Sequence, residues 1–245
     1  FSTVSSKDGP AAKPTSFRQS TPEAPQIHGL LRTMKTNGIR YAVLESTSHG
    51  LSPKTARLAD VVYSCSVFTN VTQEHLEFHG TVERYRADKA RLFEALDRGP
   101  DTAFGVVNAD DPHAALFINA TTRPVKTYSI AGRPADLSAV DIEETPEGMS
   151  FTAMPGGRRV RLGLAGRFNI SNVLAAALAV AGTTGMPLEQ LWPLAEKIQP
   201  VKGRMLRVDA GQPFEVLVDY AHTPGAFESL LPTVRERTKG RVILV

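Results

Sequence analysis

At 245 residues with 42% hydrophobic content, the chain can build one large or two modest cores, and its composition excludes a disordered or low-complexity protein. Its 28 basic and 25 acidic residues leave a net charge of +3 without a long run of one sign, which argues against a nucleic-acid or membrane-surface binder. A single cysteine, Cys65, excludes an internal disulfide and fits a reducing, cytoplasmic setting, and no apolar run approaches the roughly 20 residues of a membrane span.

Residues 1–19 read as a loose hairpin around Lys7-Asp8-Gly9-Pro10. Thr21-Pro22-Glu23 then has the N-cap, proline and early acid of a helix start; Ile27, Leu30, Leu31 and Met34 supply the apolar stripe, and Gly38 ends it. Residues 39–44 are expected as a strand, 54–59 as a short helical segment, 61–68 as a second strand, 81–97 as a helix and 103–107 as a third strand. Such alternation predicts an α/β fold, a mainly parallel sheet flanked by helices, with ligands gathered at the carboxyl ends of the strands. Glu45, Asn70 and Asn108 fall at such ends.

Residues 137–164 change character. Short strands around Asp141-Ile142 and Phe151-Thr152, and a turn at Pro155-Gly156-Gly157, predict a small antiparallel appendage. Helices are expected again at 170–181 and 188–198, after which Val201-Lys202-Gly203-Arg204 breaks the pattern. A domain boundary is expected near Lys202, dividing residues 1–202 from 203–245. Strands at 205–208 and 215–218, a helix opened by Thr223-Pro224 and a closing apolar strand at 241–245 read as the start of a second α/β domain. So greasy a terminal strand expects neighbours, and the chain is expected to be an internal piece of a longer polypeptide.

The residue that stands out is Lys89. At the 3.6-residue period, Val82, Tyr85, Leu92, Phe93 and Leu96 share an arc of about 100°, and Lys89 lies inside it. Two readings follow: a lysine that snorkels or pairs with a carboxylate, or a functional amine that burial keeps ready to lose its proton. Glu45, beside Ser46-Thr47-Ser48-His49, suits a hard cation or a loop hydrogen bond. His75 and His79 are four apart but lack the zinc-protease pattern, which leaves solvated loop histidines as the simpler reading. A neutral lysine can add carbon dioxide to become a carbamate, an anionic oxygen ligand. With a carboxylate and a histidine it could hold magnesium for phosphoryl transfer.

Glu45-Ser46-Thr47-Ser48-His49-Gly50-Leu51, Phe68-Thr69-Asn70, Glu74-His75-Leu76-Glu77-Phe78-His79-Gly80, Tyr85 and Lys89 resemble, in order and spacing, the central domain of the Mur ligases. Asn108-Ala109-Asp110-Asp111, Gly166-Arg167-Phe168-Asn169 with Asn172, Gly203-Arg204-Met205 and Asp219-Tyr220-Ala221-His222-Thr223-Pro224 extend the resemblance nearly end to end. Within that family the likeness is closest to the branch that adds the third amino acid of the peptidoglycan stem.

The resemblance implies a P-loop-NTPase-like central domain followed by a truncated Rossmann-like one. It implies a monomer that uses ATP and Mg2+ to join a free amino acid to a UDP-N-acetylmuramoyl-dipeptide. Glu45, His75 and a carbamylated Lys89 would organise the metal; Asn169, Asn172, Arg204 and Asp219 would surround ATP; Ser20, Thr21 and Thr47 would contact the muramoyl-peptide, and His222 would sit near the reacting groups. The sequence departs from the family at Pro53 and Thr55, which replace a glutamine and an arginine, with Arg57 the nearest guanidinium. The family's glycine-rich phosphate loop is expected upstream of Phe1, so these residues alone are not expected to turn over ATP. Three alternatives stay open: a folylpolyglutamate or cyanophycin synthetase, a non-catalytic nucleotide- or muropeptide-binding module, and a zinc hydrolase built on His75 and His79.

Overall fold

The computed structural model describes residues 5–6, 13–14, 21–72, 74–145 and 148–245, and the chain divides into two compact units. The first comprises residues 1–63, 74–102 and 120–122. Strands β1 (Ser5–Ser6) and β2 (Lys13–Pro14) pair antiparallel, as a hairpin requires, while the expected turn itself lies outside the described residues. Helix α1 (Ala24–Thr36) buries Ile27 and Met34 and opens with a capping box between Glu23 and Gln26. Thr21, the expected cap, is instead bonded to Thr47 and to the Glu45 carbonyl, so the helix begins later than the sequence pattern suggests.

Helix α2 (Ser48–Leu51) is capped by the Thr47 hydroxyl. Helix α3 (Leu76–His79) leads to α4 (Val82–Glu94), whose first turn is closed by Arg84 N–H donating to Thr81 Oγ1 at 3.2 Å, and which runs on as a 3-10 turn, Ala95–Arg98. Two expectations fail in this unit. Residues 39–44 form no strand, and Val43 is 82% exposed. Residues 54–59 form turns rather than a helix, the helical segment falling earlier, where Thr47 supplies a cap.

The second unit, residues 64–73, 103–119 and 123–245, is built on a six-stranded sheet. It comprises β3 (Cys65–Phe68), β4 (Phe104–Asn108), β5 (Val125–Ser129), β6 (Leu137–Thr145), β7 (Gly148–Met154) and β8 (Arg158–Leu162), in that spatial order. The first four strands run parallel and the last three antiparallel. The antiparallel strands therefore continue the main sheet, with an irregularity between Val140 and Glu143. Strand β5 and the short helix α5 (Ala114–Ile118) escape the sequence pattern; Val-Lys-Thr-Tyr-Ser buries only its last two residues.

Helix α6 (Arg167–Thr184) packs on β3 to β6, and α7 (Leu188–Ala195) packs beside α6 and β8. Val106, Leu137, Phe151, Val160, Ile170 and Leu174 form a fully buried core between them. Cys65 packs against that core, and burial pushes its thiol up to about 12, which leaves it inert at neutral pH.

Gly148 holds φ at +146°, and a Cβ there would stand 2.0 Å from the Leu162 carbonyl oxygen. Gly148→Ala should therefore cost more than about 2 kcal/mol, as strain and overpacking together do, and drop the thermal midpoint measurably. Beyond α7, β9 (Leu206–Val208) and β10 (Val216–Val218) pair antiparallel, and α8 (Pro224–Arg237) starts at the predicted Thr223-Pro224 with Thr223 as its cap. The expected strand at 241–245 carries no ladder among the described residues, and Ile243 is 74% exposed.

Candidate active site

In the first unit, the loop that carries Glu45 is tied down from α1's approach. Buried Thr21 donates to the Glu45 carbonyl at 3.2 Å, lies 2.8 Å from the Thr47 hydroxyl and accepts from the Thr47 N–H at 3.3 Å. Thr47 in turn accepts from Gly50 N–H at 3.2 Å. Gly50 is needed because a Cβ there would come within 2.6 Å of Thr21 Cγ2. Arg57 pairs with Glu23 at 2.7 Å and donates to the Thr21 carbonyl at 3.3 Å, so this guanidinium braces the same loop. Ser20 lies outside the described residues.

His49 projects into a cluster of rings, 4.2 Å from Phe78, 4.7 Å from His75 and 5.4 Å from His79 between centroids. Burial, then the neighbouring imidazoles, holds its pKa below the ordinary histidine value. His75 adopts a left-handed backbone at φ 56° and lies between two carboxylates, Glu77 at 3.4 Å and Glu74 at 3.9 Å.

His79 overturns the solvated-loop reading. It is 2% exposed, with Nδ1 at 2.8 Å from Asp88 Oδ2 and Nε2 at 3.0 Å from Ser48 Oγ. With both ring nitrogens engaged, no lone pair remains for a metal, which removes the zinc-hydrolase reading of His75 with His79. Nor is this Ser-His-Asp set a nucleophile: Ser48 and Asp88 are themselves only 3% and 6% exposed, so no acyl substrate reaches the hydroxyl. It joins α2, α3 and α4 in one buried polar network.

Lys89 sits one residue past Asp88. Its Nζ stands 5.2 Å from the Tyr85 ring centroid, and burial lowers its pKa against the opposing pull of Glu74 and Glu45. Burial, with Glu74's charge and hydrogen bond, also raises the Tyr85 hydroxyl. A desolvated amine thus faces two carboxylates, one of which approaches His75. Carboxylate oxygens with one imidazole are donor types that a hard divalent cation accepts.

Because the folded-state pKa of Lys89 is lowered, the folded protein binds fewer protons than the unfolded chain between that value and the ordinary ~10.4. Stability should rise with pH across this window, and the burial penalty is fully present below it. Lys89→Met, measured by urea unfolding over a pH series, should stabilise the protein at neutral pH, with a gain that fades as pH climbs towards the unfolded value.

The remaining predicted residues lie in the second unit. Asn169 and Asn172 occupy the first turns of α6, 3.4 Å apart, with Asn169 donating to the Ala165 carbonyl. Arg204 stacks over Tyr220 at 4.8 Å. Asp219 accepts from the N–H groups of Met205 and Ala221, both at 2.8 Å. His222 Nδ1 lies 2.8 Å from the Tyr220 carbonyl oxygen. Arg204, Asp219 and His222 therefore share one turn region.

Residues 2–180 match the family model of the Mur ligase middle domain, and residues 203–245 that of the Mur ligase glutamate ligase domain. The chain belongs to the Mur ligase family. It is 50% identical to the UDP-N-acetylmuramyl-tripeptide synthetase of Roseiflexus sp. (strain RS-1), across 99% of this chain and 50% of that protein. Identity to the protein of the same name from Treponema denticola is 45%, across 99% and 49%. A solved UDP-N-acetylmuramoyl-L-alanyl-D-glutamate--2,6-diaminopimelate ligase superposes with a TM-score of 0.74 at 32% identity, covering 95% of this chain and 47% of that one. The chain spans about half the length of the curated relatives it matches.

In this Mur ligase chain, the sequence pattern passed over Ser48, Glu74 and Asp88. Asp88 left a legible signal: like Lys89, it falls on the buried arc of α4, three residues after Tyr85.

Proposed function

We propose that the chain is the central part of an ATP-dependent ligase of peptidoglycan precursor synthesis, which adds the third amino acid to UDP-N-acetylmuramoyl-L-Ala-D-Glu. The observation that carries this reading is Lys89, a desolvated amine facing Glu45 and Glu74 beside His75 in a chain of this family. Burial favours its neutral form, which captures carbon dioxide and releases a proton to give the carbamate. Glu45, His75 and the carbamate would hold Mg2+, which when bound neutralises phosphoryl charge. Thr21 and Thr47, locked hydroxyl to hydroxyl, would orient the muramoyl-peptide together with Ser20.

Asn169 and Asn172, at the positive end of α6, and Arg204 and Asp219 would contact ATP, with His222 near the reacting groups. The substrate carboxylate attacks the γ-phosphate, ADP departs, and the amino group of the incoming amino acid displaces phosphate from the acyl phosphate. Residues 1–202 serve as the ATP- and metal-binding domain and 203–245 as the start of the next; the protein works as a cytoplasmic monomer. No helix of the described residues is long and apolar enough to cross a membrane, in keeping with nucleotide-linked substrates.

The full-length polypeptide, assayed with ATP, Mg2+ and UDP-N-acetylmuramoyl-L-Ala-D-Glu, should release ADP and form tripeptide product with one of diaminopimelate, lysine or ornithine. The 245 residues alone should not turn over ATP. A folded full-length protein that binds ATP but ligates none of the amino acids would overturn the reading.

A further inference from the structure

We propose that His49, His75 and Glu77 form a binding site for a borderline-soft divalent cation of the zinc type. Their ligand atoms all lie within 4.8 Å of one another, and the His75 Nδ1 to Glu77 Oε1 distance is already 3.4 Å. Zinc bonds of about 2.0–2.2 Å in a tetrahedron bring neighbouring ligand atoms to roughly 3.3 Å. Side-chain rotation covers the difference, because His75 and Glu77 are exposed.

His49 is the fixed member. Its ring lies against Phe78, and its carbonyl accepts from Thr55 Oγ1. Two imidazoles and one carboxylate suit zinc, cobalt or nickel; magnesium prefers oxygen ligands. Three protein ligands also leave a coordination position open to water or an anion. Neither His49 nor Glu77 belongs to the magnesium set proposed above, but His75 does. Zinc held here would withdraw His75 from that set, a consequence that rests on the ligase reading, whereas the binding itself does not.

Cobalt(II) titration, followed by visible d–d absorption, and zinc calorimetry test the site without any activity measurement. Saturation at one equivalent is expected. His49→Ala and Glu77→Gln should each weaken binding on the order of 100-fold, since even loss of an outer partner of a metal ligand costs 10–100-fold; exposed His28, changed to alanine as a control, should leave it unaltered. Non-saturable binding, or equal affinity in wild type and Glu77→Gln, would overturn the site. In the full-length enzyme zinc should inhibit ligation, with at least about tenfold more needed in Glu77→Gln. Zinc that binds without inhibiting would overturn only the withdrawal of His75, and a protein that ligates nothing would overturn the ligase reading while leaving the cobalt result to decide the site.

Discussion

Lys89→Ala in the full-length ligase is expected to lower ATP-dependent ligation on the order of 10^3-fold, the scale set by removing one preorganised electrostatic group from a desolvated site. The expectation follows from the placement of the amine. Its pKa is lowered mainly by burial, although Glu74 and Glu45 both oppose that shift. A lysine kept simply as a counter-ion would be held protonated by two carboxylates, whereas a carbamate precursor has to be neutral. Lys89→Arg separates the two roles. A guanidinium keeps the charge, is never deprotonated and cannot take up carbon dioxide, so the arginine variant should be nearly as inactive as the alanine one. Wild-type activity should also decline when bicarbonate is stripped and return when it is restored, and neither variant should respond. Undiminished turnover by Lys89→Ala at low bicarbonate would sink the assignment.

The parts of this architecture that were legible in the sequence are those fixed by local pattern. Phe104–Asn108 buries its first four residues, as a continuous apolar run in a parallel sheet does, and Thr223-Pro224 marks a helix start that the hydroxyl cap enforces. Lys89 was conspicuous because a 3.6-residue period assigns it a face. What stayed hidden depends on partners distant in sequence. Residues 39–44 look as strand-like as β4, but strand identity needs a hydrogen-bonded neighbour, and no periodicity reveals whether one is present. His79 looked like a solvated loop histidine because its partners, Ser48 and Asp88, lie 31 and 9 residues away. Thr21 has the pattern of a helix cap for the same reason, since its bonds run to Glu45 and Thr47 across more than 20 residues.

His79→Ala should lower the unfolding free energy by about 3 kcal/mol, the cost of leaving a buried carboxylate without its hydrogen-bond partner. The His79 side chain is 0% exposed and that of Asp88 9%, so the carboxylate left behind would gain little hydration, and Ser48 would lose its bond to the imidazole as well. Ser48→Ala should cost less, about 1 kcal/mol, because a neutral hydroxyl is removed together with its own need for a partner. Asp88→Asn retains an oxygen that can accept from Nδ1, so its loss should fall between the two. A cycle of His79→Ala, Asp88→Ala and the double variant, followed by urea unfolding, tests the coupling: residues in one network interact by 0.5–3 kcal/mol or more, while independent sites add within about 0.5 kcal/mol. Additivity would mean that the 2.8 Å contact contributes nothing of its own. Strong coupling, with a matching cycle of His79→Ala and Ser48→Ala, would establish that Ser48 of α2, three residues beyond Glu45, and Asp88 of α4, one residue before Lys89, are held to each other through a single imidazole. The spacing of Glu45 and Lys89, two of the three groups proposed to grip the metal, would then depend on a side chain proposed to hold none of it.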